Sequence, residues 1–239
     1  MRNLQFIEDE IYHIYNRGVE KRTIFGDKKD YVRFIHDLFE FNDENPVLNT
    51  EYRLERSPAQ PIADRKPRKL LVEILVFTLM SNHFHMLIRP KNETGVSRFM
   101  HKLGVGYTLY FNQKYKRVGP LFQGKFKAVH VQRETHLMHI PHYIHANPLN
   151  LKKNYGNSVT IDENSAINVL KKYRWSSFSD YVGIKNFPSV TSREFLLDYF
   201  EGEKGVLQET KNWIRDWKEE AGSAELINDV TLDLDLDGN

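Results

Sequence analysis

Cysteine is missing from all 239 residues, and with it go disulfide staples, iron–sulfur clusters, thiolate zinc sites and cysteine nucleophiles. Any metal must rest on His, Asn, Gln or carboxylate ligands. No apolar run approaches the roughly 18 residues that cross a bilayer. The opening ten residues also lack the basic-then-apolar profile of a signal peptide. A cytoplasmic location without a membrane partner is therefore expected. Internal repeats and low-complexity tracts are absent as well. Acidic side chains are missing from one long stretch, with no Asp or Glu between Glu93 and Glu134.

What is present is a globular balance, 40% hydrophobic, 13% aromatic and 28% charged, which supports a sizeable core and excludes collagen-like or wholly disordered chains. The formal net charge of +2 conceals a division: residues 201–239 hold 11 acidic against 4 basic side chains, and residues 1–200 hold 30 basic against 21 acidic. The body is basic and the end acidic. The acid-free stretch carries Arg98, Lys102, Lys114, Lys116, Arg117, Lys125, Lys127 and Arg133. Within it, KYKRVGPLFQGKFK interleaves cations with Tyr115, Phe122 and Phe126, a composition suited to phosphate contacts plus base stacking. Nucleic acid is the polyanion this implies, and a merely solvated cationic face is the plainer alternative.

Apolar periodicity predicts strands over residues 11–16, 70–80, 83–89 and 126–132, and helices over 27–42, 94–115 and 134–146. Only Ser81 and Asn82 separate the second and third strands, which fits a hairpin and antiparallel pairing. Residues 45–69 contain four of the nine prolines and no sustained apolar period, so they are expected to form a loop or insertion. The order β-α-β-β-α-β-α predicts an α+β, ferredoxin-like split βαβ fold with an antiparallel sheet, helices on one face and the other face open. The third helix is expected to stop at Asn147, before Pro148. The expected organisation is a main domain over 1–150 and a C-terminal extension over 151–239. The extension holds a loop, an aromatic patch (Tyr173, Trp175, Phe178, Tyr181), a short helix near 192–200, a helix over 208–221 with Trp213 and Trp217 on one face, and an acidic tail.

Two clusters carry chemistry. In the strand His83-Phe84-His85 the period of two sends both imidazoles to one face, where a single cation can meet them. Without cysteine such a site favours Mg, Mn or a similar divalent ion completed by oxygen donors. The bland reading is two partly exposed polar positions. The second cluster is THLMHIPHYIHANP, in which Tyr143 and Asn147 lie four apart on one helical face, with His139 on the same stripe. A phenol can attack a phosphodiester if its proton is accepted, and Asn147 can offer its amide oxygen to a nearby cation. A buried, hydrogen-bonded tyrosine is the alternative.

Taken in order, IYHIYNRGV, NHFHMLIRP, VGPLFQGKFKA, HYIHANPLN and YRWSSFSDYVG resemble the pieces of the single-tyrosine HUH (IS200-like) transposases, specifically the REP-associated tyrosine transposases, over about residues 10–183. The resemblance implies that His83 and His85 bind a divalent metal (Mg or Mn), with Asn147 as third ligand and His139 or His142 as alternatives to it. It implies Tyr143 as the nucleophile that cleaves and rejoins single-stranded DNA near hairpins through a 5′-phosphotyrosine intermediate. The partner is then single-stranded or hairpin DNA, with the protein acting as a monomer or homodimer. Arg17, Lys125 and Lys127, with Lys114, Lys116 and Arg117 as a second patch, are the candidate DNA contacts. Two other readings stay open: a non-catalytic nucleic-acid-binding module on the same fold, and a metal-dependent phosphodiesterase that uses water.

Overall fold

The computed structural model describes residues 4–45, 68–153 and 162–219. The proline-rich insertion expected at 45–69, apart from its ends, and the alternating Leu/Asp tail lie outside the described residues. Four strands, β1 (Tyr12–Arg17), β2 (Val72–Met80), β3 (His83–Pro90) and β4 (Lys127–His130), form one sheet in the order β2-β3-β1-β4. All three pairings are antiparallel. Two crossover helices, α1 (Lys28–Glu40) and α2 (Gly95–Lys114), make it the α+β, ferredoxin-like arrangement.

Local chemistry explains the element ends. Asp27 caps α1, accepting from the backbone N–H groups of Lys29 and Asp30, and the Asp30 carboxylate reciprocates on the Asp27 N–H. That capping box fixes where the helix begins. Phe34, Ile35 and Leu38 of α1 and Phe99, Leu103 and Tyr107 of α2 then bury against Tyr12, Ile14, Phe77, Phe84, Met86 and Ile88 of the sheet. This is the apolar half of the strand alternation.

The opposite face, which the sequence reading leaves open, is covered by a third helix, α3 (Glu134–Lys153). Val76 and Leu87 on that face are buried and must be removed from water, and Ile140 and Ile144 of α3 supply the cover. The helix also runs past both Pro141 and Pro148 to Lys153, whereas residue-level rules stop it at Asn147. An interior proline costs roughly 3 kcal/mol. The buried stripe Ile140, Ile144, Ala146 and Leu149 offsets that cost, because tertiary packing, more than propensity, decides helix length.

Beyond α3 come α4 (Glu163–Lys172), α5 (Phe178–Tyr181), α6 (Glu194–Tyr199) and α7 (Gly202–Glu219). The sequence reading places a loop where α4 forms. Asp162 caps α4, and Ala166, Ile167 and Leu170 bury its inner face. The aromatic patch pairs with the outer edge of β2: Leu79 N–H donates to the Trp175 carbonyl, Ser177 N–H to the Phe77 carbonyl, and the Tyr173 and Tyr181 hydroxyls to the carbonyls of Leu79 and Leu75. These bonds occupy backbone groups that an unpaired edge would present to other chains.

Candidate active site

Because β1 and β3 are neighbours in register, with Tyr15 opposite His85 and Arg17 opposite His83, their side chains meet on the face that α3 covers. The site is thus built from the middle of the sheet. His85 is fully buried and His83 half-buried. Burial pushes the His83 imidazole down to about 4, a hydrogen bond with the Asn147 side chain opposing this and the Arg17 charge adding to it. Burial, with His83 and His13 as neighbours, holds His85 well below the usual imidazole range. Both rings are therefore neutral near pH 7, the state that leaves a lone pair for a cation.

His85 Nδ1 lies 2.9 Å from His13 Nε2. Its other nitrogen, Nε2, is buried and has no hydrogen-bond partner among the described residues. An orphaned buried polar atom is costly unless something absent from the bare chain completes it. The Tyr143 ring stands edge-on to His85, with centroids 5.8 Å apart and planes at 88°, and edge-on to His13 at 6.2 Å. It is half-buried, with Trp213 of α7 on another side at 6.5 Å. One turn on, the Asn147 amide N–H donates to the Tyr143 carbonyl at 3.0 Å. The late-helix tyrosine, its asparagine and the two strand histidines converge on one spot.

His142 and His139 fare differently as alternatives to Asn147. His142 Nδ1 lies 2.9 Å from Thr210 Oγ1 of α7, with its ring against Phe200, so it faces the C-terminal helices. His139 is half-buried. Among the described residues no group of three His, Asp or Glu side chains is arranged to hold a metal ion. Should a cation bind here, the donors this site would offer are two imidazoles and a neutral amide.

The proposed DNA contacts divide. Arg17 Nε donates to Gln123 Oε1, and Gln123 N–H donates back to the Arg17 carbonyl at 2.8 Å, so the glycine-rich segment after α2 is docked beside the histidines. Lys125 and Lys127 are exposed, as is Lys116. Arg117 donates to Asn112 Oδ1 at 2.9 Å and lies over the Phe111 ring. Lys114 is committed inward: its ammonium is 2.8 Å from Asp27 and 2.5 Å from the buried Asp30. Burial works against that charge, but hydrogen bonds to Asp27, Asp30 and Tyr115 outweigh it and raise the ammonium above its ordinary value.

Sequence reasoning missed His13 and Asn82. Period two along IYHIYNR puts His13, Tyr15 and Arg17 on one face, but only the strand pairing reveals that this face is the one His85 occupies. Asn82, taken as a turn residue, has its Oδ1 2.7 Å from His83 Nδ1.

A ferredoxin-like sheet that gathers two histidines on one strand against a helix-borne tyrosine defines a two-histidine, one-tyrosine class of site. Residues 29–147 match the family model described as "Transposase IS200 like". Comparison with curated proteins gave no match. Among solved structures the chain is similar to one described as the "REP associates tyrosine transposase bound to a REP hairpin", at 12% identity and a TM-score of 0.49, covering 81% of this chain and 92% of that one. No described helix is long and apolar enough to cross a membrane.

Proposed function

We propose that this protein is a transposase that cleaves and rejoins single-stranded DNA next to a hairpin, with Tyr143 as the nucleophile. The observation that carries the reading is the edge-on seat of the Tyr143 ring against His85, whose Nε2 is buried without a partner among the described residues. In the step proposed, the phenolic oxygen forms a bond to phosphorus, the bond from phosphorus to the 3′ oxygen breaks, and that oxygen takes up a proton. The products are a 5′-phosphotyrosine link and a free 3′-hydroxyl. The phosphodiester energy is retained in the link, so rejoining needs no nucleotide cofactor.

His83, His85 and Asn147 would hold a divalent ion, Mg or Mn, which when bound supplies charge neutralisation at the reacting phosphate. The three donors are neutral, so negative charge at that position would come from the DNA phosphate. Arg17, opposite His83 in the register, would contact a phosphate oxygen flanking the scissile bond. Lys125 and Lys127 would neutralise the strand as it crosses the β1–β4 side of the sheet. Lys116 and Arg117 form the second patch.

The test is incubation of the purified protein with end-labelled hairpin single strands and Mn or Mg, followed by denaturing electrophoresis. Label should co-migrate with protein in the wild type and disappear in Tyr143→Phe. Cleavage surviving Tyr143→Phe, but lost when His83 and His85 are both replaced by Ala, would establish water as the nucleophile. Salt-sensitive binding with neither adduct nor cleavage would leave a binding module.

A further inference from the structure

The hairpin turn between β2 and β3 is clamped from outside. Gly18 N–H donates to the Asn82 carbonyl at 2.8 Å, and Ile24 and Phe25 N–H groups both donate to the Ser81 carbonyl at 2.9 and 3.1 Å. Gly18 is itself packed within its own segment, where a Cβ would lie 2.3 Å from the Arg22 carbonyl oxygen. The turn is therefore held by the segment that leads from β1 into α1. Within it the Asn82 amide has two neighbours: the Lys21 carbonyl, to which Nδ2 donates at 3.2 Å, and His83 Nδ1, 2.7 Å from Oδ1.

Those two contacts fix protons by elimination. A backbone carbonyl only accepts, so the NH2 end of the amide must face Lys21 and the oxygen must face His83. That oxygen also only accepts, so Nδ1 of His83 must carry the hydrogen. A neutral imidazole has a single ring hydrogen, so Nε2 keeps the lone pair, and the Asn147 side chain that also bonds this ring must then meet it with its NH2 end. Free imidazole side chains in water favour the opposite tautomer, so Asn82 imposes a choice.

We infer that Asn82 is a positioning residue: it holds His83 in the tautomer whose Nε2 accepts a cation, and the clamp from residues 18–25 holds Asn82. The role assigned to the cation rests on the function proposed above, whereas the tautomer belongs to the metal-free chain and can be measured without DNA or catalysis. Partners of this kind around metal-ligating histidines typically contribute 10- to 100-fold to metal affinity.

Long-range nitrogen–proton NMR correlations of the histidine rings, recorded on the metal-free full-length protein near neutral pH, read the tautomer directly. In the wild type His83 should show its hydrogen on Nδ1. In Asn82→Ala it should shift toward the Nε2-protonated form, with Mn affinity by titration calorimetry falling about 10- to 100-fold. Asn82→Asp keeps an acceptor oxygen facing Nδ1 and should retain the wild-type tautomer. A wild-type His83 protonated on Nε2 would overturn the inference, as would an Asn82→Ala protein whose His83 tautomer is unchanged. Should Asn82→Ala fail to fold, the wild-type and Asn82→Asp spectra still decide. A wild-type Nδ1 hydrogen in a protein that binds no Mn and forms no DNA adduct would uphold the tautomer assignment and sink the enzymatic reading instead.

Discussion

Lysines that look alike in a basic run differ in their surroundings once their neighbours are known. Lys114 touches Asp27 and the wholly buried Asp30, and Asp30 also accepts from the Tyr110 and Tyr115 hydroxyls. Removing the ammonium leaves a buried carboxylate short of its counter-charge, so Lys114→Ala should cost on the order of 2 kcal/mol of stability. It should leave the salt dependence of DNA binding nearly unchanged. Lys125→Ala, at an exposed position, should do the reverse: no stability change beyond about 0.5 kcal/mol, and a slope of log affinity against log salt shallower by about 0.7 for single strands. Urea denaturation and fluorescence-anisotropy titrations at several salt concentrations measure the two quantities. Equal salt slopes for the two variants would remove Lys125 from the interface.

At the scale of the element, α3 combines a site-facing side with a side that is locked inward. Tyr143 and Asn147 point to the sheet, while His142 bonds Thr210 and His145 Nε2 lies 2.9 Å from Ser177 Oγ. Burial pushes both of these histidines down to about 3, with His139 beside the first and His142 beside the second adding repulsion. Their folded values lie below the unfolded value near 6.5, so their contribution to stability is complete above about pH 6.5. It is lost as pH falls, by about 1.4 kcal/mol per pH unit for each histidine. Asp37 acts in the other sense: burial outweighs Arg33 and raises its carboxyl to about 6, so it returns about 1.4 kcal/mol per unit as pH falls from 6 toward 4. Two losses against one gain leave net acid destabilisation, with His83 adding to it. Denaturant titrations between about pH 7 and pH 5 should show stability falling with pH, and His145→Asn should flatten that slope by one histidine's share. A slope untouched by the substitution would mean that His145 is not buried neutral.

For the molecule as a whole, residues 162–219 complete the sheet's edge and the wall of the site. Trp175 and Ser177 bond the free edge of β2, Trp213 stands beside Tyr143, and Leu196, Phe200 and Val206 bury against Val76 and Leu87. A chain ended at residue 153 would expose that apolar layer and the β2 edge together. It should lose its near-ultraviolet circular dichroism, bind the dye ANS and aggregate; a monodisperse product with native aromatic dichroism would show that the first 153 residues fold alone. Much of this architecture is legible from residue order. Strand and helix periods, the two-residue link at Ser81 and Asn82 and the HFH alternation depend on neighbours within a few positions, and these set the four strands, α1, α2 and the shared face of His83 and His85. The passage of α3 through two prolines depended instead on apolar partners far away in the chain, as did the cover over the second face of the sheet. The meeting of His13 with His85, the inward capture of Lys114 and the bond from Asn82 to His83 likewise came only from tertiary structure, because register and packing bring together groups whose separation in sequence carries no trace of their contact.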